Sequence, residues 1–136
     1  MAVASELETL QRVCRNLERE NRIEATDHQK LLTVFGQRFT RAWEAIADKR
    51  VKKYVFKPSN RVVWIVVGKG RDYLIMPAVD FCTCNDFYFR VMNRQIHLCY
   101  HLIGQKLAEA LERYDSYEED DELYDALMND WKKPIG

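Results

Sequence analysis

Two short pairs of metal-binding side chains constrain this chain more than any other feature. They are Cys82-Thr83-Cys84 and, fourteen residues later, Cys99-Tyr100-His101. Zinc takes four ligands in a tetrahedron, with thiolate sulfurs at about 2.3 Å and imidazole nitrogen at about 2.0 Å. Two knuckles of two ligands each meet that demand, so the fold must bring both ends of the segment together. Three cysteines and one histidine also close the coordination sphere. With no position left for a reactive water, the spacing predicts one structural zinc ion rather than a Lewis-acid catalyst. Other fates for these thiols stay open. A disulfide inside Cys-x-Cys would be strained. A Cys82–Cys99 bridge needs an oxidising compartment. Free cysteines would pack as small apolar residues. His97 is a further imidazole near the second pair, less regularly spaced. Cys14 lies far upstream on a helical stripe and reads as core or interface.

The compartment follows from what the chain lacks. No apolar run approaches the roughly 20 residues of a membrane helix. Met1 to Leu17 alternates charge with leucine, unlike the unbroken apolar stretch of a signal peptide. The expectation is an intracellular protein with no membrane partner, cytoplasmic if archaeal and nuclear if eukaryotic. The 136 residues fit one domain with a modest core.

Periodicity orders the rest. Leu7, Leu10, Cys14, Leu17 and Asn21 alternate spacings of three and four on a helix of about residues 5–22. That stripe packs on the domain or pairs with another helix, which leaves a homo-oligomer open. Asp27 can cap a second helix, in which Leu31, Leu32, Phe35, Phe39, Ala42, Trp43 and Ile46 form one apolar face ending near Asp48. The pattern then turns to β-branched and aromatic residues. Val51–Phe56, Val62–Val67 and Arg71–Met76 read as strands, with Val79–Phe81 extending the third or adding a fourth. Pro58-Ser59-Asn60 and Gly68-Lys69-Gly70 read as the turns. Phe87–Met92 suits a short helical segment, and Leu98–Arg113 a clear helix. Residues 114–122 read as an acidic linker, and Leu123, Leu127, Met128 and Trp131 as a short amphipathic helix. The fold class is therefore α+β: N-terminal helices on a three- to four-stranded antiparallel meander, with the zinc joining its last strand to a C-terminal helix.

Cys-x-Cys-x14-Cys-x-His followed by a helix resembles the SWIM zinc finger. The chain also has an N-terminal helical region, a meander, Cys-Thr-Cys-Asn-Asp-Phe and Cys-Tyr-His-Leu-Ile. In these it is similar to the small SWIM-domain subunits of Shu-type recombination complexes and their archaeal homologues. The specific likeness covers residues 82–104 and the looser one residues 28–113. It implies Cys82, Cys84, Cys99 and His101 as ligands and Phe87 packed against the site. It divides the chain into an N-terminal helix (1–24), a SWIM finger domain (25–113) and an acidic tail (114–136). The Shu-type pattern has alanine three residues after the histidine, where this chain has Gly104. The resemblance further implies a non-catalytic partner of a RecA-like recombinase paralogue in homologous recombination and DNA repair.

Charge supplies a second expectation. Residues 1–113 hold 19 Lys and Arg against 13 Asp and Glu, a net of +6, and residues 114–136 hold 2 against 8, a net of −6. Lys49, Arg50, Lys52, Lys53, Lys57, Arg61, Lys69 and Arg71 crowd the meander beside Tyr54 and Trp64. Cations among aromatics on a sheet can neutralise phosphates and stack bases. On this reading Lys49, Lys52, Lys53, Lys57, Arg61, Lys69 and Arg71 form a nucleic-acid-binding surface, and the chain is an autonomous binding module. Lysine on strands also discourages mispairing of edges. Alternation puts Lys52 and Lys53 on opposite faces. The run Glu118-Glu119-Asp120-Asp121-Glu122 is a solubilising linker, a docking tether, or a cover for the chain's own basic patch. Enzyme signatures are missing: Gly68-Lys69-Gly70 lacks the length and ending of a phosphate loop, and no nucleophile triad stands outside the zinc ligands.

Overall fold

The computed structural model describes residues 2–68, 70–77, 81–84 and 98–132. The short helical segment expected at Phe87–Met92 and the positions of His97 and Lys69 lie outside the described residues.

The N-terminal stripe forms α1 (Ala2–Glu20), and Leu10, Val13 and Leu17 are buried. The stripe is thus spent on the chain's own core. The broad apolar face that follows makes two helices, not one. α2 (Ala25–Phe35) ends where Gly36 takes φ +59° and ψ −129°, and α3 (Gln37–Ala47) restarts directly after it. Only glycine adopts such a positive φ without steric cost, so the chain bends there while Phe35, Phe39, Ala42 and Ile46 stay on the buried side.

The meander is β1 (Val51–Lys57), β2 (Arg61–Val67), β3 (Asp72–Met76) and β4 (Phe81–Cys82), each antiparallel to the next. The expected fourth strand is therefore present. α4 (Tyr100–Leu111) follows, with Leu102, Ile103 and Leu107 fully buried. It packs on α1 and α3 and lies over one face of the sheet. α4 and α3 approach closely at Gly104, where an added Cβ would stand 3.6 Å from the Ala42 Cβ.

Two expectations about the sheet need correction. Residues 114–122 are not a linker: β5 (Asp115–Asp120) adds to the free edge of β1, pairing Lys52 with Asp115 through to Lys57 with Asp120. The pairing is parallel, so the sheet is mixed, in the order β4-β3-β2-β1-β5. Its direction follows from α4, which returns the chain to the starting end of β1. α5 (Tyr124–Trp131) then crosses the sheet face opposite the other helices. There Met128 and Trp131 bury against Phe56, Val63, Ile65 and Leu74, a second core separate from the first. The C-terminal residues thus build a third layer.

Candidate metal centre

Cys82 closes β4, and its partner across the ladder is Ile75 of β3. Beyond it the knuckle is pinned by a residue that ligand spacing does not reveal. The Thr83 N–H donates to the Leu74 carbonyl at 3.2 Å, and the Leu74 N–H donates to Thr83 Oγ1 at 3.1 Å. These two bonds fix the backbone between Cys82 and Cys84, so both thiols turn to the same side.

The second knuckle sits at the start of α4. Cys99 is the N-cap residue, extended at φ −79° and ψ 167°, and its thiol is hydrogen-bonded by the Leu102 backbone. A helix N-terminus favours negative charge, which suits a thiolate ligand. His101 lies on the first turn, its ring 4.2 Å from that of Tyr73 and 3.9 Å from that of Tyr100, both tilted by 32°. Arg38 of α3 donates to the Leu98 carbonyl at 2.8 Å, directly before Cys99. The same guanidinium forks onto the Glu6 carboxylate of α1 at 3.1 and 2.6 Å. Thr83 is the spacer of the first knuckle and Arg38 belongs to no motif; the roles of both come from the fold.

Cys82, Cys84, Cys99 and His101 converge, with their ligand atoms all within 4.8 Å of one another, and all four are buried. Zinc bonds of about 2.0–2.3 Å at tetrahedral angles give ligand–ligand edges of about 3.5–3.8 Å, within a small side-chain rotation of this arrangement. The polar accounting also asks for a cation. Among the described residues neither ring nitrogen of His101 meets a hydrogen-bond partner at good geometry, and the neighbour the ring does act on is the Cys84 thiol. Leaving a buried polar group poorly paired costs roughly 1–3 kcal/mol, and a metal ion satisfies one of these nitrogens. Burial pushes the Cys82 and Cys99 thiols up, while hydrogen bonds from Cys82 and then Cys99 hold the Cys84 thiol down. Three buried thiols this close disfavour ionising together, and a divalent cation lets all three ionise. The residues fit one zinc ion. Four protein ligands fill its tetrahedron, so the ion clamps β4 to α4.

The residues of the basic meander are dispersed rather than gathered. Lys52 pairs with Asp115 at 2.5 Å, and Arg61 pairs with Asp121 at 3.6 Å while lying 3.7 Å over the Tyr124 ring. Hydrogen bonding to Asp115 raises the Lys52 pKa, and the same bond lowers that of Asp115. Lys53 faces the other way, over Trp64 and Tyr114, so Lys52 and Lys53 do part company as alternation requires. Lys57 binds Asn60 Oδ1 at 2.5 Å in its own hairpin, and Arg71 lies over Tyr73. Lys49 is exposed, in a left-handed turn after α3. Within the acidic run Glu118–Glu122 it is Asp121 that pairs with Arg61, and the partner of Lys52, Asp115, lies just before the run. No helix among the described residues is long and apolar enough to cross a membrane.

Comparison with known proteins places this centre in context. A Dictyostelium discoideum protein named zinc finger SWIM domain-containing protein 7 homolog is 34% identical over 100 residues, which covers 72% of this chain and 64% of that protein. The Mus musculus zinc finger SWIM domain-containing protein 7 is 29% identical over 106 residues, covering 76% of this chain and 69% of that one. An uncharacterized Archaeoglobus fulgidus protein is 31% identical over 88 residues, covering 65% and 68% respectively. The chain thus spans a little under two thirds of the Dictyostelium relative's length. No family model matches the chain, and no solved structure matches it.

Proposed function

The chain belongs to the SWIM-type zinc finger proteins, and from that premise we propose that it is a non-catalytic interaction subunit whose zinc ion organises a docking fold. The observation that carries this reading is the closure of the site. Four buried protein ligands leave no coordination position for substrate or water, so the metal stabilises structure and does no chemistry on a ligand. The proposed partner is a RecA-like recombinase paralogue, and the setting homologous recombination and DNA repair. The similarity of Cys82-Thr83-Cys84 and Cys99-Tyr100-His101, with their flanking elements, to Shu-type SWIM subunits supports it. Co-expression with RecA-like paralogues of the same organism, followed by native mass spectrometry, tests the pairing. A defined heteromeric mass is expected. A chain that stays alone beside every such paralogue contradicts it.

A second reading, nucleic-acid binding by the β1–β2 hairpin, draws on one observation. Lys52 and Arg61 flank the half-buried Tyr54 on a single face of the sheet, the combination of cations and a ring that single strands use. Salt-dependent binding of an oligonucleotide by the isolated chain, abolished by Lys52→Glu with Arg61→Glu, is its expected signature; unchanged affinity in that variant removes it.

A further inference from the structure

We infer that the β5–α5 segment is an internal competitor of single-stranded nucleic acid, occupying the cations and the stacking ring that a strand would need on the β1–β2 hairpin. The inference rests on the second reading above and adds its regulation.

The same C-terminal segment supplies both kinds of contact. Carboxylates take the cations: Asp115 holds Lys52, and Asp121 holds Arg61. Asp121 is itself positioned by the Ser59 N–H at 2.9 Å and the Ser59 hydroxyl at 2.7 Å, in the turn between β1 and β2. Aromatic rings take the stacking surface. Tyr117 lies 5.2 Å from Tyr54 at 31°, and Trp131 lies 5.0 Å from Tyr54 at 55°. Tyr124 covers the Arg61 guanidinium. A single strand bound here would bring phosphates to Lys52 and Arg61 and a base to Tyr54. The chain presents an acidic, tyrosine-bearing strand to those same groups, along a six-residue parallel register from Asp115 to Asp120. Ordinary edge protection needs charge alone and does not call for acid set in register with base, Asp115 beside Lys52 and Asp120 beside Lys57. Segment and nucleic acid compete for one surface, so hairpin affinity is low while the segment is docked.

Asp115 and Asp121 are at the surface, and changing each to Asn keeps its shape and removes its charge. The measurement is affinity for a labelled oligo(dT) strand across a salt series, on the full chain. Wild type, Asp115→Asn with Asp121→Asn, and Lys52→Glu with Arg61→Glu are compared, with thermal unfolding to show that each is folded. The expected result is that the Asn pair binds about tenfold tighter than wild type, with steeper salt dependence, and that the Glu pair binds least. If wild type and the Asn pair bind equally and the Glu pair does not, the hairpin binds nucleic acid but the competition is refuted. If no variant binds, both fall together.

Discussion

The guanidinium of Arg38 reaches the Glu6 carboxylate at 2.6 Å, and both side chains are largely buried. Because Arg38 also holds the Leu98 carbonyl, this pair links α1 and α3 to the second zinc knuckle. Removing one partner of a buried pair strands the other charge, at a cost of about 3–5 kcal/mol. Arg38→Met is therefore expected to lower stability in urea by about 3 kcal/mol. Combining it with Glu6→Leu should recover most of that loss; a double variant as unstable as the sum of the singles would contradict the pairing.

Gly104 is helical and faces Ala42, with room for a methyl group at ordinary contact distance. Gly104→Ala should raise stability by up to about 1 kcal/mol through helix propensity, without repacking α3. Thermal unfolding measures this, and a lowered midpoint would mean that α3 and α4 lie closer than the structure has them.

Cys14 tests burial on α1. Its thiol donates to the Lys106 carbonyl, and burial pushes its pKa from 9.0 up to about 12. The raised value makes the folded state hold its proton after the unfolded chain has lost it. The associated stability is whole below pH 9 and drains away as pH rises from 9 towards 12. Cys14→Val should flatten that alkaline decline. In the native protein the half-buried thiol should alkylate slowly at pH 8, and labelling as fast as that of a free thiol would contradict its raised pKa.

Trp131 and Met128 cover Phe56 and Leu74 on the outer sheet face. Trp131→Ala is expected to cost about 3 kcal/mol by urea unfolding. Deleting residues 114–136 should expose that core and leave the chain aggregation-prone. A truncated chain that stays monomeric and equally stable would return the segment to the status of a tail.

The zinc ligands are legible in the sequence because tetrahedral coordination needs only residue type and spacing, both local facts. The β-branched runs at Val51–Phe56 and Val62–Val67 disclose their strands for a similar reason, since alternation is set along one segment. β5 is hidden. Asp115–Asp120 contains almost no strand-forming side chains, and what makes it extended is the open edge of β1 and the cations on it. Such a strand exists only through distant partners. The bend between α2 and α3 is hidden differently: Phe35, Phe39, Ala42 and Ile46 keep helical spacing across Gly36, so periodicity reads straight through it. Thr83 is only the unspecified spacer of Cys-x-Cys and Arg38 has no motif, so their roles appear only once β3 and Leu98 are brought beside them.

The central claim is that one zinc ion, held by Cys82, Cys84, Cys99 and His101, joins β4 to α4 and supplies folding free energy. Native mass spectrometry of the purified chain under reducing conditions, paired with thermal unfolding, tests it most directly. One zinc per wild-type chain is expected, none in Cys99→Ser or His101→Ala, and a marked drop in unfolding midpoint for both variants and for the chelated wild type. A metal-free chain that folds with an unchanged midpoint would contradict it.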